Sequence, residues 1–90
     1  MKPNLDLTLL RSFVTIADVG GVTRASGVLN LTQSAVSMQI KRLELMLGAK
    51  VLDRSARSVA LTPVGEQLPS YAKRMVALND EVYGLLTQPQ

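Results

Sequence analysis

Cysteine and histidine are both absent from the 90 residues of this chain. Their absence excludes disulfide staples, thiolate or imidazole zinc sites, cysteine and histidine nucleophile systems and imidazole acid–base chemistry. No apolar run approaches the roughly 18 residues that span a bilayer, and Asp6 and Arg11 interrupt what could have been the apolar region of a signal peptide. A cytoplasmic protein with no membrane segment is expected. Nothing repeats at a period of about 20 to 50 residues, and there is no low-complexity tract. The carboxylates Asp6, Asp18, Glu44, Asp53, Glu66, Asp80 and Glu81 include no pair that brackets a reacting bond, so they are expected to serve as caps, solvated charges and ion-pair partners. No catalytic, cofactor-binding or metal-ligating residue emerges, and an enzyme is not expected.

What is present suits one small folded domain: 47% hydrophobic and 19% charged residues. A chain of this length hides only about 60 to 65% of its unfolded surface. A large enclosed cavity is therefore excluded, and the active part must lie on the surface. The net charge of +3 is unevenly spread. Residues 1–30 carry +1 and residues 61–90 carry −1, whereas residues 31–60 carry +3 through Lys41, Arg42, Lys50, Arg54 and Arg57 against Glu44 and Asp53. A local cationic excess of this kind is the electrostatic footprint of a polyanion binder, though a solvated basic surface has the same composition.

Asp6 suits a helix N-cap, and after it Leu9, Leu10, Phe13, Val14, Ile16 and Ala17 recur at helical spacing up to Gly20-Gly21. A second, short helix is expected to be capped by Thr23, to turn Ala25, Val28 and Leu29 inward, and to exit at Asn30, which tolerates a left-handed backbone. Thr32 suits the cap of a third helix. In it Val36, Ile40, Leu43 and Leu47 follow at intervals of four, three and four, and Gly48 ends it. The segments Lys50–Arg54 and Ser58–Leu61 then read as a small β-hairpin around Ser55-Ala56-Arg57. Thr62-Pro63, with Glu66 in the first turn, starts a long last helix. Its apolar residues Val64, Leu68, Tyr71, Met75, Leu78, Val82 and Leu85 alternate spacings of four and three. So long a stripe predicts pairing with a second copy of the chain; the alternative is that it folds back onto the first three helices. Pro69 predicts a bend or loosened turn in this helix.

Helix, tight turn, helix with the small residues Ala25 and Ser26 at the crossing, then a hairpin, is the plan of a winged helix-turn-helix. The third helix points to function. Opposite its apolar stripe lie Gln33, Ser34, Ser37, Met38 and Lys41. Gln can pair with adenine, Ser lets a backbone sink into the major groove, and Met can meet a thymine methyl. Lys41 and Arg42 would meet phosphates, and the helix N-terminus at Thr32 offers free N–H groups to another. A solvated face is usually rich in Glu, Lys and Arg; this first turn is small and uncharged. In the hairpin Arg57, and less clearly Arg54, could enter an adjacent minor groove, although Arg54 could instead tie the hairpin to the helices and both could simply solubilise a turn with Asp53.

The run from Gln33 to Glu44, then Leu47-Gly48, Arg54 and Leu61-Thr62-Pro63-Val64-Gly65-Glu66, closely resembles the N-terminal DNA-binding domain of LysR-type transcriptional regulators. The resemblance reaches from about Leu5 into the last helix. It implies a mainly α, winged helix-turn-helix domain over residues 1–62 and a linker, or dimerisation, helix over residues 63–90. It implies base reading by Gln33, Ser34, Ser37 and Met38, phosphate contacts by Thr32, Lys41 and Arg42, and wing contacts by Arg54 and Arg57. The implied partners are a pseudo-palindromic double-stranded DNA operator and a second copy, paired through Leu68, Tyr71, Met75, Leu78, Val82 and Leu85. No cofactor is implied, and a small-molecule effector would act only through a two-lobed domain that this chain lacks, so a truncated form or free-standing fragment is expected. Departures from the family pattern are Met38 in place of a frequent Arg, Ser26 for Ala, Gly27 for a charged helix former and Pro69 for Leu. The competing reading from another class is a coiled-coil interaction module whose basic middle is only solvated.

Overall fold

Each helix of the fold begins and ends where the local chemistry of its terminal residues places it. The computed structural model describes residues 3–53 and 60–87, and its elements are α1 (Leu7–Val19), α2 (Val22–Leu29), α3 (Gln33–Leu47), β1 (Leu52–Asp53), β2 (Ala60–Leu61) and α4 (Pro63–Thr87). Asp6 caps α1 by accepting the Thr8 N–H at 2.8 Å, and Gly20 closes it in the left-handed region at φ +85°. Thr32 caps α3 through the Ala35 N–H at 3.0 Å, with Gly48 at φ +69° as its stop. Asn30 takes the left-handed exit from α2 at φ +57°. The hairpin is antiparallel, with Leu52 opposite Leu61 and Asp53 opposite Ala60, a shorter ladder among the described residues than the strands expected from sequence. The architecture is mainly helical, a winged helix-turn-helix followed by a long helix.

One boundary differs from expectation. Helix α2 starts at Val22, not after Thr23, and its N-cap position is Gly21, which has no side chain to cap with. The double glycine lets the chain turn at once, so Val22 joins the helix and packs on the core. The inward stripe is therefore Val22, Ala25, Ser26 and Leu29, and Val28, expected inside, is 67% exposed. Thr23 instead supplies the backbone oxygen that accepts the Ser26 hydroxyl at 2.6 Å.

The core gathers Leu9, Leu10, Phe13 and Ile16 of α1, Ala25 of α2, Val36, Ile40 and Leu43 of α3, and Val51 and Leu52. Ala72 of α4 closes it from the other side. Helix α4 lies antiparallel to α1, as its two ion pairs show. Arg11 grips Asp80 with both terminal guanidinium nitrogens at 2.7 and 3.1 Å, and Lys73 meets Asp18 at 2.8 Å. The Asp80 carboxyl is held below its ordinary range by the hydrogen bonds from Arg11 and from Asn79, and Arg11 is held above its own by the bond to Asp80. The face that α4 turns to its own domain is Gly65, Leu68, Ala72 and Val76. That observation overturns the folded-back alternative for the longer stripe, because Tyr71, Met75, Leu78, Val82 and Leu85 all remain exposed. Pro69 sits within α4, which stays helical on both sides of it. No helix among the described residues is long and apolar enough to cross a membrane.

Gly65 is where α4 touches the segment leading into the hairpin. A Cβ built there would stand 2.1 Å from the carbonyl oxygen of Val51, and that same oxygen accepts the Thr62 N–H at 3.0 Å. Backbone against backbone has no flexible end to yield. A glycine-to-alanine change inside a helix ordinarily stabilises by about 0.5–1 kcal/mol; Gly65→Ala should instead destabilise by about 1–3 kcal/mol, read as a lower midpoint in urea unfolding.

Candidate nucleic-acid interface

Burial on one side fixes what α3 presents on the other. Val36, Ile40 and Leu43 are fully buried and Leu47 packs against the same core, so the opposite face cannot rotate inward without opening it. The buried Ser12 hydroxyl of α1 donates to the side-chain oxygen of Gln39, adding a directional contact to the apolar packing. On the open side Gln33, Ser34 and Met38 are exposed and Ser37 is half-buried. The structure thus brings these four residues together on the first turns of α3, beside Thr32, with Lys41 and Arg42 exposed one turn further on. Neither Lys41 nor Arg42 forms an ion pair with a described residue. Such a surface is small and uncharged at its centre and cationic at its edge, a chemistry that suits a base-pair edge flanked by phosphates. Arg54 and Arg57 lie outside the described residues.

Of the residues expected to pair with a second copy, all but Leu68 lie on the open face of α4; Leu68 packs instead against its own domain's core. Leu68 is half-buried, whereas Tyr71, Met75, Leu78, Val82 and Leu85 are exposed, Leu85 by 71%. Met75, Leu78 and Val82 also line a groove of about 570 Å³ whose other wall is Asn4, Leu5 and Leu7 ahead of α1. Arg74 lies over the Tyr71 ring at 4.9 Å from its centroid, covering one face of the ring.

Two residues that position the site were not singled out by sequence. Glu44 is only 8% exposed, and its Oε2 accepts the backbone N–H groups of Val51 at 2.9 Å and Leu52 at 3.4 Å. Its Oε1 faces the Lys50 ammonium at 3.9 Å. A carboxylate on α3 thereby holds the start of the hairpin. The signal was its position, since Glu44 falls four residues after Ile40 and three before Leu47, inside the apolar stripe. Gly65 is the other, where only the absence of a side chain allows the close approach to Val51.

The family model for bacterial regulatory helix-turn-helix proteins, lysR family, matches residues 7–66. The chain is 44% identical over 78 residues to the HTH-type transcriptional regulator PecT of Dickeya dadantii, covering 87% of this chain and 25% of that protein. It is likewise 44% identical over 78 residues to DgdR of Burkholderia cepacia, covering 87% and 26%. The chain therefore spans about a quarter of the length of these curated relatives. Its fold matches that of the BenM_DBD/catB site 1 DNA complex with a TM-score of 0.86 at 31% identity, covering 93% of this chain and 94% of that one.

Removing the Glu44 carboxylate strands two buried amides. Glu44→Ala should lose about 1.5–3 kcal/mol in urea unfolding, and Glu44→Gln, which keeps one acceptor oxygen, should lose less.

Proposed function

Since the chain belongs to the lysR family of bacterial regulatory helix-turn-helix proteins, we propose that it binds double-stranded DNA with sequence preference, as a homodimer, and is the DNA-binding part of a transcriptional regulator of the bacterial cytoplasm. Its work is binding rather than catalysis, as in the transcriptional regulators it matches. The observation that carries the reading is the open face of α3: two uncharged first turns presenting Gln33, Ser34, Ser37 and Met38, backed by a fully buried stripe and flanked by Lys41 and Arg42. Base edges are read by the first group, and phosphates are met by Thr32, Lys41 and Arg42. Arg54 and Arg57 are assigned to the wing on sequence grounds alone. Where relatives often carry Arg, Met38 offers an apolar contact instead, which favours a thymine methyl over guanine.

The second copy is assigned to α4. Its exposed seam is nearly symmetric about Leu78, with Tyr71 and Leu85 seven residues to either side and Met75 and Val82 three before and four after. A twofold axis near Leu78 would set each of these residues against its counterpart and bury them all. Any small-molecule effector acts through a domain outside these residues. A coiled-coil module would use the same seam, but it leaves the uncharged turns of α3 without a purpose.

Selection from random duplexes should return a pseudo-palindromic motif for the chain and lose that motif for Gln33→Ala combined with Ser37→Ala, each lost contact costing about 1–3 kcal/mol of discrimination. Lys41→Ala should weaken all duplexes alike; selection of the same motif by the double variant would remove α3 as the reading element. Leu78→Glu sets two carboxylates against each other at the proposed axis and should give a monomer mass in sedimentation equilibrium; an unchanged dimer mass would refute the seam.

A further inference from the structure

The open stripe of α3 does not stop at the residues that face the bases. Ser34, Met38, Lys41 and Leu45 follow at intervals of four, three and four and so share one face, with Leu45 about 10 Å beyond Met38 along the axis. Leu45 is 82% exposed, more than any other large apolar side chain among the described residues. A single exposed leucine needs no ligand; the cleft it helps to form is what gives it weight. That cleft, of about 420 Å³, is lined by Lys41, Glu44, Leu45, Gly48, Ala49 and Lys50. Its lining is largely apolar, and the lysine side chains of Lys41 and Lys50 belong to it. A second hollow of about 400 Å³ shares Lys41, Glu44 and Lys50 and continues the cleft toward Leu52, Asp53 and Thr62 of the hairpin.

The charge in this cleft is cationic despite Glu44. One Glu44 oxygen is occupied by the Val51 and Leu52 amides and the other faces Lys50, while Asp53 borders only the second hollow. An occupant should therefore alternate apolar and anionic groups at close spacing. The sugar–phosphate backbone does so, with the C–H face of deoxyribose between successive phosphodiesters. We infer that the cleft holds the DNA strand that passes beyond the bases met by the first turns of α3, with Lys41 and Lys50 on phosphates and Leu45 and Ala49 against the sugar between them. This assignment rests on the DNA-binding reading above and extends it to Leu45 and Lys50, at the junction of α3 and the hairpin. An acidic peptide shares the chemistry, but Lys41 and Leu45 of the cleft lie on the same helix face as Ser34 and Met38, which favours a duplex seated on those residues as the occupant.

The test is binding of fluorescent duplexes, one selected and one scrambled, across a salt series for the whole chain, for Lys50→Gln and for Leu45→Glu. Leu45 is exposed and Lys50 meets Glu44 only at 3.9 Å with its own side chain 78% exposed, so thermal unfolding midpoints should change little. Lys50→Gln should weaken both duplexes by the same factor, roughly three- to tenfold, and lower the slope of log affinity against log salt by about one per engaged protomer. Leu45→Glu should weaken both duplexes as well. If the parent binds and both variants keep its affinity and slope, the cleft does not hold the strand and the inference falls while the DNA-binding reading stands. A changed sequence preference with an unchanged slope also overturns it, and loss of binding to a poly-glutamate peptide with duplex binding intact assigns the cleft to a protein partner. A parent chain that binds no duplex at low salt overturns both readings together.

Discussion

The rotational setting of α3 is the constraint on which the rest depends. Successive residues of a helix step by about 100°, so a turn of that size would carry Ser34 and Met38 off the open face and take Val36, Ile40 and Leu43 out of the core. The setting is held by Val36, Ile40 and Leu43, none of which retains any exposure. Apolar packing alone is non-directional, and a stripe of similar side chains could settle at slightly different angles. The contact between Ser12 and Gln39 adds direction on one flank, and the bonds from Glu44 to the amides of Val51 and Leu52 add it on the other. The helix is thus fixed by polar contacts at two points around its circumference and by volume between them.

From that setting the position of the hairpin follows. Glu44 draws the Val51–Leu52 backbone against α3, the Val51 carbonyl accepts from Thr62, and the Thr62 hydroxyl both donates to Lys50 and caps α4 through Gly65. One residue, Thr62, therefore belongs to the hairpin and to the helix at once. The approach of Gly65 to Val51 leaves the α4 start no room to shift. The orientation of α4 is set by the same chain of contacts that orients the open face of α3.

Much of this was legible in the residues. Asp6, Thr32 and Thr62 are side-chain caps and Gly20, Asn30 and Gly48 are left-handed exits, because these signals act within a single turn of backbone. The stripe of α3 was equally clear, since four-three-four spacing over fifteen residues has no competing reading. The start of α2 was not, because a glycine cap leaves no side-chain signature and Thr23 offered a false one. Glu44 was obscured by its charge, which reads as solvent-facing until the amides that satisfy it are brought near by the fold. Helix α4 carries two apolar faces, and periodicity shows that they exist without telling which one meets its own domain; Gly65 and Ala72, too small to weigh in a hydropathy pattern, decide it. The open face of α3, proposed to read bases, follows from residue chemistry, and the cleft around Leu45 and Lys50 needed the backbone turn after Gly48 to become visible.

The ion pairs that Lys73 and Asp80 make with α1, with Val76 packed on the core between them, tie the long helix as an arm to the domain that carries α3. In a homodimer joined through two such arms, the separation and mutual tilt of the reading helices become a property of the protein and not of the DNA. The pair would then work as a caliper, rejecting correct half-sites set at the wrong phase of the duplex. Its tolerance would be governed by surface charges far from any base.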